Sequence, residues 1–273
     1  MPEGPEIRQS ADRIAAALLN QPTTEVFFAF DRLKLFEAEL TGETVVSVKP
    51  RGKAMLIRFS NALSIYSHNQ LYGVWMIRKA HNYPTTNRQL RLAIHTTRKS
   101  ALLYSASDIS VLTDSDIADH PFLSKLGPDV LDENTTVDTV RDRLQQKQFH
   151  RRRFSTLLLD QHCLSGLGNY LRSEILFVSG LHPSQRPIDC SPTQLDTLSG
   201  NILIITRQSY ETKGITNDLD TALALKSEGY RRRDYRFYVF SRKDKPCRTC
   251  GTPIVKETLG GRRCYYCPQC QPA

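Results

Sequence analysis

The sequence predicts an α+β, multidomain chain: a β-sandwich or barrel with flanking helices, then a helical part, then a small cysteine-rich module. About seven short β-prone runs fall between residues 23 and 112. From Thr135 onward the apolar residues recur at helical spacing. Two Cys-x-x-Cys pairs stand close to the C-terminus. A length of 273 residues fits one large domain or two to three smaller ones.

Pro5 to Leu19 reads as an amphipathic helix. Ile7, Ala11, Ile14, Ala15 and Leu18 share one face, Pro5 suits the first turn, and Asn20–Pro22 ends it. The β-prone runs follow: "TEVFFAF", "TVVSVKP", "KAMLIRF", "LSIYSH", "GVWMIRK", "QLRLAIHTT" and "SALLYS", separated by turn residues. The character changes near "GPDVLDENTT". Val137, Val140 and Leu144 then share a helical face. Ser191 and Gln194 have capping-box spacing for a helix running to about Tyr210. Between them, "RRRFSTLLLDQHCL", "SGLGNYL" and "RSEILFVSG" read as two helices joined by a glycine-rich turn. The mixed stretch "KGITNDLDTALALKSEGYRRRDY" reads as a mobile loop.

Charge narrows the partner. The chain carries a formal net charge of +9. Residues 226–273 hold 12 Lys/Arg and 4 Asp/Glu, a net of +8, so nearly all the excess is local. A basic surface this concentrated suits a polyanion such as DNA or RNA, although a solvated basic face is the plainer reading of charge alone. No apolar run approaches the roughly 20 residues that span a bilayer. The N-terminus has no basic segment followed by an apolar core, so the expected location is intracellular. Seven cysteines without a secretory signal argue against a disulfide framework.

Cys247-x-x-Cys250 and Cys267-x-x-Cys270 are separated by 16 residues. Each pair forms a knuckle that offers two thiolates to one tetrahedral zinc, whereas a single pair would equally suit a redox dithiol. Cys264 stands outside this spacing and is read as a bystander. In "SGLGNYL", Gly166 and Gly168 allow close backbone approach to a phosphate, and Asn169 either caps the next helix or contacts that phosphate. In "SHNQLYGVW", Gln70, Leu71 and Tyr72 stand between two β-runs. They are either a hairpin tip able to wedge between bases or ordinary core residues of a strand. Lys53 follows a glycine at a strand start, as a solvated lysine or one aimed at phosphate or sugar.

The chain begins "MPEGPEIRQS". Start methionine is usually removed before a small residue, which would leave Pro2 as a free secondary amine beside Glu3. A free α-amino group has a pKa of about 7.7–8.0 and is partly neutral at cellular pH, as a nucleophile must be. Both acids near this end, Glu3 and Glu6, also suit a helix N-terminus without any chemistry.

Together, "PEGPEI", "RGKA", "YSHNQLYGVW", "LLYSASDI", "LGPDVL", "LLLD", "GLGNYLR" and the terminal cysteine pairs closely resemble the formamidopyrimidine-DNA glycosylase/endonuclease VIII family, on its bacterial endonuclease VIII branch. The resemblance runs in order along essentially the whole chain. It implies an N-terminal β-sandwich domain over residues 1–132, a helix–two-turn–helix domain over 133–225 and a basic loop with a zinc ribbon over 226–273. It implies a monomeric bifunctional DNA glycosylase/abasic lyase that acts on double-stranded DNA with oxidised pyrimidines or abasic sites, cytoplasmic and nucleoid-associated. Carried over by position, Pro2 is the Schiff-base nucleophile, Glu3 the acid, and Lys53 an aid to β-elimination. Arg262 assists δ-elimination and holds phosphate. Gln70, Leu71 and Tyr72 fill the gap left by a flipped nucleotide, and Asn169 and Lys125 contact phosphate. Cys247, Cys250, Cys267 and Cys270 hold one structural zinc. Lys125 stands where the family pattern suggests arginine, so a bidentate contact becomes a point charge. Arg263 and Cys264 replace an apolar pair, and "EGYRRRDY" is longer and more basic than the pattern. The rival readings are the sister activity on oxidised purines and a non-catalytic zinc-ribbon DNA-binding protein.

Overall fold

The computed structural model describes residues 2–273, and Met1 lies outside the described residues. The chain forms two compact units, one of Pro2 and Glu6–Lys125, the other of Glu3–Pro5 and Leu126–Ala273.

In the first unit, α1 (Gly4–Leu18) turns Ile7, Ala11, Ile14 and Leu18 inward, the face that helical spacing assigns. Eight strands follow, with two short helices: β1 (Glu25–Phe28), α2 (Leu35–Leu40), β2 (Val45–Arg51), β3 (Ala54–Phe59), β4 (Ser64–His68), β5 (Val74–Lys79), β6 (Leu90–His95), β7 (Lys99–Tyr104), β8 (Asp108–Leu112) and α3 (Asp114–Asp119). They make two antiparallel four-stranded sheets, in the orders β1-β6-β7-β5 and β2-β3-β4-β8. The sequence expectation of a β-sandwich over seven runs therefore gains an eighth strand, "DISVL". Its polar first residue and the turn before it hide the short apolar alternation. Phe28, Ile57, Ile65, Leu92, Leu103 and Ile109, drawn from both sheets, pack with α1 in one core.

In the second unit, α4 (Val137–Gln145), α5 (Phe154–Leu157), α6 (Asn169–Val178) and α7 (Pro192–Glu211) surround a core that includes Val140, Leu144, Leu171, Ile175, Leu198 and Ile202. Ser191 and Gln194 form the expected capping box at the start of α7. Val137 is exposed, so the buried face of α4 is narrower than its spacing suggests. Helix α6 is buried from Tyr170 to Phe177 and packs on β10 of the terminal ribbon, β9 (Val255–Leu259) and β10 (Arg262–Tyr266).

The stretch read as a mobile loop is largely helical. It holds α8 (Leu219–Ser227) and α9 (Arg232–Tyr235), and α8 runs through position 226. Asp218 caps α8 by accepting from the Thr221 N–H at 2.8 Å, and "TALALK" is rich in strong helix formers. Local polarity concealed a tertiary anchor: Thr216 and Asn217 are fully buried, and both backbone N–H groups donate to the Arg236 carbonyl. Thr216 Oγ1 also donates to Glu174 on α6 at 2.6 Å.

Glu174 is buried and accepts from the backbone N–H groups of Tyr238, Val239 and Phe240 at 2.7–2.9 Å. Glu174→Ala leaves these three donors without their acceptor. At about 1–3 kcal/mol for each unsatisfied buried group, and roughly 2–4 °C per kcal/mol for a unit this size, the second unit's calorimetric midpoint should fall by on the order of 10 °C. A midpoint within a degree or two of the parent would show that the carboxylate anchors nothing.

Candidate active site

The acid next to the N-terminal proline caps a helix. Glu3 is 3% exposed, and its carboxylate accepts from Tyr170 N–H at 2.8 Å and Leu171 N–H at 3.2 Å, at the start of α6. The free N–H groups and dipole of a helix N-terminus favour an anion there. The glycine-rich turn makes room for it. A Cβ on Gly168 would sit 2.2 Å from the Glu3 carboxyl carbon, and Gly166 has φ +99° while its carbonyl accepts from Gly4 N–H at 2.7 Å. Of the two readings of these glycines, the tight interhelical turn is the one the structure shows, with Glu3 as the anion seated in it.

Asn169 is the first residue of α6 and not its N-cap, a place taken by Gly168. Its Oδ1 accepts from Arg172 Nη2 at 3.0 Å, which leaves the amide nitrogen as the end able to donate elsewhere. Arg172 is fully buried and also donates to the carbonyls of Ser155 and Arg263, each at 2.7 Å. It therefore ties α6 to the ribbon strand that begins at Arg262. Burial holds its pKa below the ordinary arginine range, while nearby Cys264 and Glu3 act in the opposite sense. The sequence reading missed Arg172. Its signal was the i, i+3 spacing behind Asn169 in "NYLR", which aligns the two on one helix face.

Arg262 is exposed at the start of β10, paired with Leu259 across a Gly260–Gly261 turn with φ of +55° and +74°. Positive φ at both central residues matches the twist of a two-residue hairpin. Arg263 is exposed, and Cys264 is buried beside Arg172, so the pair that departs from the family pattern splits between solvent and packing. Burial pushes the Cys264 thiol up, and it lies outside the cysteine cluster.

That cluster is Cys247, Cys250, Cys267 and Cys270, whose sulfurs all lie within 4.8 Å of one another. Thiolates about 2.3 Å from a tetrahedral zinc stand roughly 3.8 Å apart. The Cys247–Cys270 and Cys250–Cys267 separations are 3.9 and 3.4 Å. Thr249 N–H and Cys270 N–H donate to Cys247 and Cys267 Sγ, as knuckle backbones do. A second group, Glu25, His81 and His95, is equally compact, but it is spoken for. Both His95 ring nitrogens are within hydrogen-bond distance of hydroxyls, Ser100 at 2.6 Å and Tyr83 at 3.0 Å, and its ring stacks on His81.

The first unit holds the remaining candidates. Pro2 is half-buried. Lys53 follows Gly52, at φ +59°, in the β2–β3 turn, and the next residue, Ala54, pairs with His68. Burial holds the His68 pKa down; Asp108 opposes this and Lys53 adds to it, so these three groups sense one another. His68, overlooked in the sequence, accepts from Gln70 N–H through Nδ1 at 3.1 Å. Gln70, Leu71 and Tyr72 form an exposed turn, with Leu71 54% and Tyr72 67% exposed, which excludes the core-residue reading. The turn is not a hairpin tip: β4 and β5 belong to different sheets, and it crosses between them. Lys125 is exposed at the end of this unit.

Three family models cover the chain: the formamidopyrimidine-DNA glycosylase N-terminal domain matches residues 1–107, the H2TH domain 126–220, and a zinc finger found in FPG and IleRS 244–273. Proteins named endonuclease 8 from Escherichia coli (strain K12 / DH10B) and Klebsiella pneumoniae (strain ATCC 700721 / MGH 78578) are each 48% identical over 271 residues, 99% of this chain and 100% of theirs. Among solved structures, a Lactococcus lactis Fpg bound to abasic-site DNA matches with a TM-score of 0.81 at 20% identity, over 99% of this chain and 100% of that one. A second from the same organism, with Fapy-dG DNA, matches at 0.80 and 18%, over 98% and 99%. At these identities the structures speak for the fold. The zinc-finger match and the sulfur geometry together make the four cysteines the site of one structural zinc.

A closed four-thiolate site leaves no position for substrate, and its metal-binding energy is largely folding energy. Cys250→Ser should lose the zinc, measured by atomic absorption, and the β9–β10 amides should lose their protection from hydrogen exchange. Full protection in a protein verified as metal-free would rule out a folding role.

Proposed function

The chain belongs to the formamidopyrimidine-DNA glycosylase/endonuclease VIII family, and from that premise we propose how its residues divide the work. It is a DNA glycosylase and abasic-site lyase of base excision repair, and its partner is duplex DNA carrying damaged or abasic nucleotides. Oxidised pyrimidines are its substrates, in keeping with the endonuclease 8 relatives.

Pro2, once Met1 is removed, attacks the anomeric carbon of the flipped nucleotide through its secondary amine. The base leaves as that C–N bond forms, and the ring oxygen takes a proton as the sugar opens. The resulting iminium is a cationic electron sink. Loss of a C2′ proton expels the 3′ phosphate, and a second elimination expels the 5′ phosphate. Glu3 handles the proton at the opening sugar. Lys53 assists the first elimination and Arg262 the second. Gln70, Leu71 and Tyr72 fill the vacated stack and offset part of the few kcal/mol of unstacking. Asn169 and Lys125 hold phosphates, which fixes register without reading bases. The zinc takes part in no step.

The observation that carries this reading is Glu3, buried, on two backbone N–H groups, one residue from Pro2. A purely structural cap would need no imino acid before it. We propose that catalysis is centred in the part over 1–132, DNA binding in the helical part over 133–225, and the ribbon in 226–273, borders that fall a few residues from the division at 125/126 and within α8. We also infer a cytoplasmic, nucleoid-bound location, since both partner and product are chromosomal.

Borohydride reduction on an abasic duplex tests the nucleophile. Protein lacking Met1 should form a covalent adduct that peptide mapping assigns to Pro2. Retained Met1 turns the Pro2 nitrogen into an amide without a usable lone pair and should abolish trapping while duplex binding survives. An adduct on Lys53 would overturn the assignment.

The Glu3 pocket gives a separate test. Gly168→Ala should drive the carboxylate off α6 and lower thymine-glycol excision by up to the roughly 10²–10⁴-fold that a lost acid–base group costs, with zinc content unchanged. Parent-like excision by this variant would dissociate Glu3 placement from catalysis.

A further inference from the structure

The exposed turn at Gln70–Tyr72 is fastened by residues to which nothing above gives a role. Gln70 has φ +49°, a left-handed conformation that a residue with a Cβ keeps only where its surroundings over-determine it. Four bonds do so. Gly73 N–H closes the turn on the Asn69 carbonyl at 2.8 Å, and Gln70 N–H donates to His68 Nδ1. From outside the turn, Arg88 Nη1 donates to the Tyr72 carbonyl at 2.7 Å, and Ser107 Oγ donates to Gln70 Oε1 at 2.8 Å. The two outside loops are themselves joined, since Ser105 N–H donates to the Gln89 carbonyl at 2.8 Å. Three loops from one end of the sandwich thus form a closed set, around a groove of about 490 Å³.

We propose that Arg88 and Ser107 are positioning residues for the wedge: they hold Gln70, Leu71 and Tyr72 in the projecting conformation before DNA arrives. This rests on the wedge role proposed above for those three residues. A loop already ordered loses less conformational entropy when it inserts, so its preparation appears as faster insertion. Ser107 does a second thing. Because its hydroxyl takes Gln70 Oε1, the Gln70 amide nitrogen is the end left facing outward, which makes the turn a hydrogen-bond donor to whatever it meets in the stack. Arg88 is exposed, so its replacement leaves the core untouched.

Stopped-flow fluorescence of a duplex with a tetrahydrofuran abasic analogue, and 2-aminopurine opposite it, reads insertion directly. Arg88→Ala and Ser107→Ala should each slow the fluorescence rise roughly three- to tenfold, the effect of one lost hydrogen bond. Arg88→Lys, which keeps a donor, should restore most of the rate. In the free protein, the Gly73 amide should exchange faster in Arg88→Ala. Leu71→Ala separates the two claims. If Leu71→Ala leaves the rise intact, the wedge reading fails and this proposal fails with it. If Leu71→Ala lowers the rise while Arg88→Ala changes neither rate nor exchange, positioning alone fails. A uniform loss of affinity for undamaged duplex in Arg88→Ala, with the salt slope lower by about 0.9 and Gly73 exchange unchanged, would make Arg88 a phosphate contact instead.

Discussion

The second unit depends on one carboxylate at one helix end. Helix α6 begins without a side-chain cap of its own, at Gly168. The first turn of a buried helix carries N–H groups that must find acceptors. Glu3 supplies them from the far end of the chain, its two carboxyl oxygens accepting at the positive end of the helix. Two glycines follow from this requirement. Gly168 must lack a Cβ because Glu3 fills that space, and Gly166 must adopt positive φ so that its carbonyl can meet Gly4. Structure and chemistry therefore share a residue, since the group proposed to move protons is also the group that completes α6.

The same helix shows why charges are buried deeper in. Arg172 and Glu174 are both fully buried, two residues apart, and they do complementary work. Single-turn helices, edge strands and irregular segments leave backbone groups that no helix or ladder bond satisfies. Arg172, with five donors and no acceptor, takes carbonyls from Ser155 and Arg263. Glu174, all acceptor, takes N–H groups from Tyr238, Val239 and Phe240. One helix thus organises the segment at residue 155, the ribbon strand and the 216–240 region. Neutral side chains offer too few bonding positions for this, and a buried charge left half satisfied would cost several kcal/mol.

Much of this was legible in the sequence, and the gaps share a cause. Strands β1 to β7, the face of α1 and the capping box of α7 follow from period and cap chemistry within a dozen residues. The four cysteines stand out because zinc geometry imposes a spacing on the chain. Helix α8 has local signals in the Asp218 cap and "TALALK", but the polar, charged stretch around it masked them, and the anchoring of Thr216 and Asn217 on Glu174 and Arg236 lies outside any local window. The glycines of "SGLGN" suited an interhelical turn and a phosphate loop alike, because the side chain they make room for lies outside any local window. They do accept an anion, but the anion is 165 positions away in the case of Gly168 and Glu3. At "NQLYG" the sequence left a hairpin tip and a strand core both open; exposure excludes the core, and the strand order shows that the turn crosses between sheets.

Burial and exposure then divide the candidate residues by how each can be held. Glu3 and the Arg172 link to the strand of Arg262 are fixed by charge-assisted bonds, which tolerate little adjustment and suit the chemical roles proposed for Glu3 and Arg262. Leu71 and Tyr72 cannot be held that way. In the wedge role proposed for them they would leave solvent and enter a base stack, so their apolar surface stays uncovered in the free protein, and burial cannot serve as a source of order. What remains is backbone closure, a left-handed residue and bonds from neighbouring loops to the turn's carbonyl and amide. Each such bond is modest at an exposed site, near 1 kcal/mol. Several acting on five residues suffice to bias a turn whose alternatives differ by only a few kcal/mol, and they can yield when the loop meets DNA. The two kinds of fastening thus suit the two proposed roles, a proton-handling group that stays in place and an exposed surface free to move into a base stack.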